Sequence, residues 1–406
     1  MARSAISYRQ LIRLPNVLPL LLATCLSRLA ERMFAWAIVF HALAVFQSPA
    51  LAGWISFAAM APGLAVSPLA GAFLDRAGAA RGIVVDLAFS TVLVMALAVA
   101  VLLNRASPPI MLLLVTIYAL TSPLSLAGVR ILLPRLVPVR ALDRANALDT
   151  AVHAIVDVVA PSLAGALMGF SGSIATFITI AVAYAGAAIG IALVHGETGP
   201  SRSRRNLFPE AWDGLIYVIR GKLLRGLAIG YALNLVTWGI LVVAVPVAIA
   251  QHFAAGAWEA YSGLLWAGVG LAGGIGAIFA GHLRTFGREV TVMTACMVVT
   301  AVAVWPVASS FGVQGLVLGL VTAGLLAGPI DVGLLTLRQR RTEPGRLGRV
   351  LAVSISINTS GFPIGTALGG MLVAWSPTSA FVAAALASVL GALATYGLIP
   401  AEDRDP

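Results

Sequence analysis

Residues 82–103 read GIVVDLAFSTVLVMALAVAVLL. Apart from Asp86 the stretch carries no charge, and its apolar residues follow one another without alternating. A helix needs about 20 such residues to cross roughly 30 Å of hydrocarbon, and this run is long enough. A strand of a membrane barrel would span about 10 residues with strict in-out alternation, which is missing here. Similar runs recur on both sides, near 17–46, 49–74, 109–133, 146–170 and 174–195, then near 226–250, 258–282, 289–309, 313–337, 350–374 and 379–399. The pattern predicts an all-α membrane protein of twelve spans.

Composition agrees. Of 406 residues, 60% are apolar or aromatic and 10% are charged, against about 25% charged in soluble domains. Mean hydropathy is +0.97. A soluble enzyme, a disordered chain and a coiled coil are excluded. Cys25 and Cys296, the two cysteines, each sit in an apolar run, so no disulfide framework or CxxC metal site is expected. Arg3, Arg9 and Arg13 ahead of an apolar stretch resemble a signal peptide. The apolar pattern continues to Phe46, however, so this stretch reads as the first span.

The formal charge of +10 is explained by placement. With both termini cytoplasmic, every Lys and Arg except Arg28, Arg32 and Arg105 falls on the inner side, as the positive-inside rule requires. The charge therefore reports topology, and no nucleic-acid partner is expected.

One connection, 196–225, is longer than the rest and falls mid-chain, with six runs on either side. It reads as a cytoplasmic linker between an N-terminal bundle (1–195) and a C-terminal bundle (226–406). The halves echo one another in order. Gly71-Ala72-Phe73-Leu74-Asp75-Arg76-Ala77-Gly78 after the second span answers to Gly281-His282-Leu283-Arg284-Thr285-Phe286-Gly287 after the eighth, and Pro123 answers to Pro329. Leu142-Asp143-Arg144-Ala145-Asn146 answers to Leu347-Gly348-Arg349, and Gly165 and Gly169 to Gly369. Tandem six-helix halves are a transporter architecture.

These residues resemble the major facilitator superfamily. The segment Gly71 to Gly78 is similar to its cytoplasmic signature, with Ala79-Ala80 where a basic pair is usual. Leu133-Pro134-Arg135-Leu136-Val137-Pro138, Glu210-Ala211-Trp212-Asp213-Gly214-Leu215, Tyr261-Ser262-Gly263-Leu264-Leu265 and Gly348-Arg349-Val350 resemble the branch of macrolide efflux proteins and the enterobactin exporter. Ala160-Pro161 stands where that branch has Gly-Pro. The resemblance runs from about residue 9 to 399. It implies the major facilitator fold, two pseudo-symmetric bundles, and multi-pass residence in a bacterial inner membrane. It also implies a cavity lined by spans 1, 4, 7 and 10, for which Ser27, Trp36, Tyr118, Thr121, Asn234, Thr237 and Trp238 are the polar and aromatic candidates. Ordinary packing is the alternative role for each.

Charges inside spans are the sharpest functional signal, since each costs about 2.5–3.5 kcal/mol at the bilayer centre. The first span holds Arg28, Glu31 and Arg32. Arg28 and Glu31 share a face three residues apart, so they can pair. Glu31 reads either as a proton or substrate group tuned by an arginine, or as part of a packing ion pair. In the fifth span His153 and Asp157, at i and i+4, can relay protons or join helices. Asp331 in the tenth span faces substrate or a cytoplasmic arginine such as Arg338. Asp86 reads as a charge in the first turn of the third span. Gly71, Asp75, Arg76, Gly78, Arg81 and Arg130 form an expected cytoplasmic latch, with Asp75 accepting from the eleventh span's N-terminus as the family implies.

No HExxH, GxSxG or phosphate-binding loop occurs, and Lys222 is the sole lysine. The expected activity is therefore not enzymatic and needs no cofactor. It is export of a small amphipathic molecule by a monomer, driven by proton antiport, with import or facilitated diffusion as the alternative.

Overall fold

The computed structural model describes residues 7–138, 141–194, 215–282, 287–307, 311–342 and 347–400. After a short helix, Tyr8–Ile12, closed by a Ser7–Gln10 capping box, the first spanning helix α1 covers Val17–Phe46. Helix α2 comes in two pieces, Pro49–Ala58 and Ala61–Ala77, and α4 likewise in Pro108–Thr121 and Pro123–Leu136. Both second pieces open with a proline in their first two positions. Proline has no N–H to give a preceding turn, so the break falls just ahead of it. Helix α3, Ala79–Leu102, lies between them.

The long helix Leu142–Ala192 is two spans, divided where Gly172 takes φ 75° and ψ 177°. A side chain there would be strained, which makes glycine the natural break. We call the parts α5 (142–171) and α6 (173–192). The second half supplies α7 (Lys222–Ala250), α8 (Ala257–His282) and α9 (Glu289–Val302), which runs into a π turn at Ala303–Val307 containing Pro306. It continues with α10 (Gly312–Arg341), α11 (Leu347–Trp375) and α12 (Pro377–Leu398). Among the described residues, nine helices are long and apolar enough to cross a membrane. Dividing one at Gly172, and adding α9 with its π turn and α11, gives the twelve expected from sequence.

Large apolar side chains such as Leu22, Val92, Val182, Leu264, Leu318 and Leu393 are more than half exposed along the spanning helices. In water such surface would be costly. In a bilayer it is the solvent-compatible face.

Contacts group the chain into two packing units. The first is Met1–Ala37 with Ala58–Leu207; the second is Ile38–Phe57 with Phe208–Pro406. In the first, α3 packs on the long helix that α5 and α6 make up and on the second piece of α4. Its core includes Ile83, Leu87, Val94, Met111 and Phe177, all fully buried. In the second, α7 packs on α11 and α12, and α8 on α10. Around the start of α7, Leu223, Leu227, Met293, Met297, Leu334 and Ile399 form a continuous core.

Close helix approach in the second unit depends on glycine. A Cβ at Gly361 would strike the Ala232 carbonyl, one at Gly365 the Val236 carbonyl, and one at Gly369 would lie 2.7 Å from the Ile240 Cα. These contacts repeat every four residues on both α11 and α7, a small-residue seam that brings the backbones together. A second seam joins α8 and α10, where Gly276 faces the Leu325 carbonyl and Gly328 the Ala277 amide.

Candidate functional site

Helix α1 sets Thr24, Ser27, Arg28 and Glu31 at three- and four-residue intervals, hence on one face. Arg28 reaches across to α5. Its Nη1 donates to Asp149 Oδ1 at 2.7 Å and its Nη2 to Oδ2 at 3.1 Å, with the Asp149 carbonyl 3.3 Å from Nη1. This is a two-point fork, and the side chains are only 11% and 23% exposed. One turn further on, Arg32 Nε meets Asp157 Oδ1 at 2.9 Å, with both side chains about half exposed (49% and 47%). Asp149, His153 and Asp157 repeat every four residues on α5, so two arginines of α1 engage the two ends of one acidic stripe.

Two expectations are corrected by this geometry. Arg28 is committed to Asp149 on a facing helix, not to Glu31 on its own. A guanidinium fork needs a carboxylate lying in its plane, which a neighbouring helix presents better than a residue three places along. Asp157 is likewise held by Arg32 and not by His153, which stays half-buried between the two ion pairs.

Glu31 instead borders a small hollow of about 20 Å³ together with Ser27, Asp86, Ser90, Tyr118 and Tyr184. That is room for roughly one water molecule. Ser122 and Ser125 of α4 complete its polar wall. Asp86 is therefore not a first-turn charge. Helix α3 begins at Ala79, which carries Asp86 two turns inside. There it is 3% exposed, its Oδ1 makes no hydrogen bond, and the hydroxyls of Ser125 and Thr121 lie beside it. The hydroxyls of Tyr118 and Tyr184 are 2.6 Å apart, and the Phe34 ring packs 4.5 Å from that of Tyr118. Tyr118 thus belongs to a buried aromatic wall with Phe34 and Tyr184 and lines the hollow. Thr121 donates back to the Tyr118 carbonyl at 3.2 Å.

Candidates in the second unit fare differently. Thr237 is fully buried and donates to the Ala384 carbonyl on α12 at 3.0 Å. Asn234, 2% exposed, is enclosed beside Gly391. Thr237 thus ties α7 to α12, while the Asn234 Oδ1 is buried without a hydrogen bond. Trp238 is half-buried, with the Trp266 ring 6.1 Å away. Trp36 on α1 is also half-buried. Asp331 accepts from the Tyr231 hydroxyl at 2.6 Å, not from Arg338. Arg338 is 3% exposed and, with the Asn358 amide turned to satisfy both of its ends, donates to that oxygen at 2.7 Å.

Of the latch, Gly78 forms the turn between α2 and α3 with φ 90° and an amide that donates to the Leu74 carbonyl at 2.9 Å. Arg76, Arg81 and Arg130 are exposed. The side-chain positions of Gly71 and Asp75 lie outside the described residues, so the contact between Asp75 and α11 does too.

Asp149 and Tyr184 escaped the sequence reading. The signal for Asp149 was present. Two arginines in an apolar helix need two carboxylates, and Asp149 stands two turns before Asp157. Among the described residues no group of three or more His, Cys, Asp or Glu could hold a metal.

Comparison with known proteins fits this architecture. The family model described as Major Facilitator Superfamily matches residues 20–224 and 227–406. The chain is 50% identical over 395 residues to the uncharacterized MFS-type transporter y4rN of Sinorhizobium fredii, covering 97% of this chain and 98% of that one. Among solved structures it is similar to the nucleoside transporter NupG (TM-score 0.75, 12% identity, 95% of this chain and 100% of that one). It is also similar to a bacterial homologue of the iron transporter ferroportin in an inward-facing state (TM-score 0.74, 18% identity, 94% and 98%). At these identities the structures speak for the fold alone.

Proposed function

This chain belongs to the major facilitator superfamily, and from that premise we propose that it is a proton-coupled exporter of a small amphipathic organic molecule. That it is a multi-pass membrane transporter follows from the family and from its apolar helices. The finer reading rests on one observation. Both arginines of α1 have acidic partners on α5, while Glu31 has no hydrogen bond among the described residues and borders a polar hollow with Asp86. A carboxyl so placed can take up and release a proton without breaking an ion pair.

In this reading the two six-helix halves, 1–195 and 226–406 joined by the linker 196–225, alternate access to the two sides. Glu31 carries the proton, and the Arg28–Asp149 and Arg32–Asp157 pairs hold α1 and α5 as one element. Trp36 and Trp238 supply aromatic surface for substrate, and Asp75 with Arg76, Arg81 and Arg130 latches the inner side. The substrate class is that of the macrolide efflux and enterobactin export branch, namely a drug, siderophore or other secondary metabolite. The location is a bacterial inner membrane, and the working unit is a monomer.

The test is dye or drug accumulation in cells with and without the gene, together with purified protein in proteoliposomes under an imposed pH gradient. Export driven by an inward proton gradient, lost in Glu31→Gln at normal protein levels, is the expected result. Uptake in place of export, or transport indifferent to the gradient, would overturn antiport and leave an importer or facilitator.

A further inference from the structure

We propose that Asp86 and Glu31, with the hydroxyl oxygens of Ser27, Ser90, Ser122 and Ser125, form a binding site for one small cation within the first packing unit. It rests on the cation-coupled reading above for its purpose, but not for its geometry.

Three observations carry it. The first is charge. Around the hollow stand Arg28, Arg32, Asp149, Asp157, Glu31 and Asp86, with His153, Tyr118 and Tyr184 as the other titratable groups. Arg28 is matched by Asp149 and Arg32 by Asp157. Glu31 and Asp86 remain, two carboxyls outside those pairs; Glu31 is exposed, while Asp86 is 3% exposed in an interior where an uncompensated charge is costly.

The second is the direction of the hydroxyl protons. Ser27 Oγ donates to the Thr24 carbonyl at 3.0 Å, and Ser122 Oγ to the Ala119 carbonyl at 3.2 Å. Their hydrogens point into helix backbone, so what they offer the hollow is lone pairs. Of the two tyrosine hydroxyls, one must donate to the other across 2.6 Å. Two of the four serines thus offer the hollow acceptors only, which suits a cation better than an anion.

The third is the buried end of the site. Asp86 is 3% exposed and lines the hollow, and its Oδ1 makes no hydrogen bond although the Ser125 and Thr121 hydroxyls lie beside the carboxyl. A buried carboxylate oxygen is normally satisfied, so a ligand at this spot would account for it.

The chemistry is a single positive charge seated on hard oxygen donors. A sodium-sized ion and a proton both meet it, and a hollow of about 20 Å³ takes either. Soft metals are poorly matched, for want of sulfur or nitrogen ligands.

Purified full-length protein in detergent allows the measurement without knowledge of the transported molecule. Thermal unfolding is followed in NaCl and in choline chloride at equal ionic strength, across a pH series. Infrared difference spectroscopy monitors the carboxylic-acid carbonyl stretch in parallel. Stabilisation by sodium over choline identifies the ion. Stabilisation by acid alone, with a carboxylic-acid band that loses intensity in Asp86→Asn and in Glu31→Gln, identifies the proton. Either result supports the site, and each variant should weaken the apparent affinity by on the order of 100-fold. Should Asp86→Asn fail to fold, Ser125→Ala removes one oxygen without touching charge and should weaken binding by about tenfold. If wild type responds to neither sodium nor acid differently from the variants, the site is overturned. Failure of export with the cation response intact would count instead against the exporter reading.

Discussion

In the repeat read from the sequence, α1 answers to α7 and α5 to α11, so the α1–α5 and α7–α11 seams are counterparts. They are built on opposite principles. At α1–α5 the helices are tied by long side chains, Arg28 to Asp149 and Arg32 to Asp157. At α7–α11 they are tied by the lack of side chains, with Gly361, Gly365 and Gly369 drawn against the backbone of Ala232, Val236 and Ile240. Glycines of the first unit mostly meet side chains, as Gly128 meets Ile83 and Gly190 meets Ala23. A pair of duplicated seams has thus separated into a polar one, next to the hollow at Glu31, and a dry one in which, among the described residues, glycine meets backbone. Charge chemistry is concentrated where the α1 seam is, and rigid packing where the α7 seam is.

The sharpest way to break this contrast is to put a side chain into the dry seam. Gly365→Leu drives carbon into the Val236 carbonyl, and overpacking of this kind costs about 3 kcal/mol or more. The expected outcome is loss of the monodisperse peak in size-exclusion chromatography of detergent extracts. Next in size is the inner ion pair. Arg28→Ala leaves Asp149 without its two-point partner in a mostly buried site, which should cost about 2 kcal/mol in thermal unfolding. Arg28→Met with Asp149→Leu should recover most of that loss, since an apolar pair avoids the buried charge.

Smaller again is Tyr184→Phe. It removes one hydrogen bond to Tyr118 while keeping the ring, a loss of about 1 kcal/mol. Smallest is the outer pair. A double-mutant cycle on Arg32→Gln and Asp157→Asn should give a coupling of at most about 1 kcal/mol, because both side chains are half exposed. A coupling as large as that of Arg28–Asp149 would erase the gradient along α1.

Much of the fold was legible because lipid imposes one simple demand, about 20 apolar residues per crossing, and basic residues mark the loops between. The limits of α1, α7 and α12 fall close to the apolar runs. What could be read poorly was which polar group meets which. Arg28 and Glu31 are neighbours along the chain, and linear spacing invited pairing them. Asp149 lies 121 residues away, and its claim depends on how α5 docks on α1, which no local pattern encodes. Asp86 is a related case. Its role turns on α3 beginning at Ala79 and placing the carboxyl two turns deep, and helix ends are poorly fixed by composition when Gly78 and two alanines precede an arginine. Thr237 shows the reverse error. It is polar and well placed on α7, yet turned onto α12, because a threonine hydroxyl can be satisfied by any facing carbonyl.

The glycine seam has a mechanical consequence. Its rungs are four residues apart, so sliding α11 along α7 by less than one rung, about 6 Å at 1.5 Å per residue, would press a side chain into a carbonyl. The two helices therefore cannot creep past each other by small increments. They behave as one strut, able to pivot but not to telescope, and whatever bending the second unit undergoes must be taken up elsewhere, with the π turn and Pro306 at the end of α9 the obvious joint.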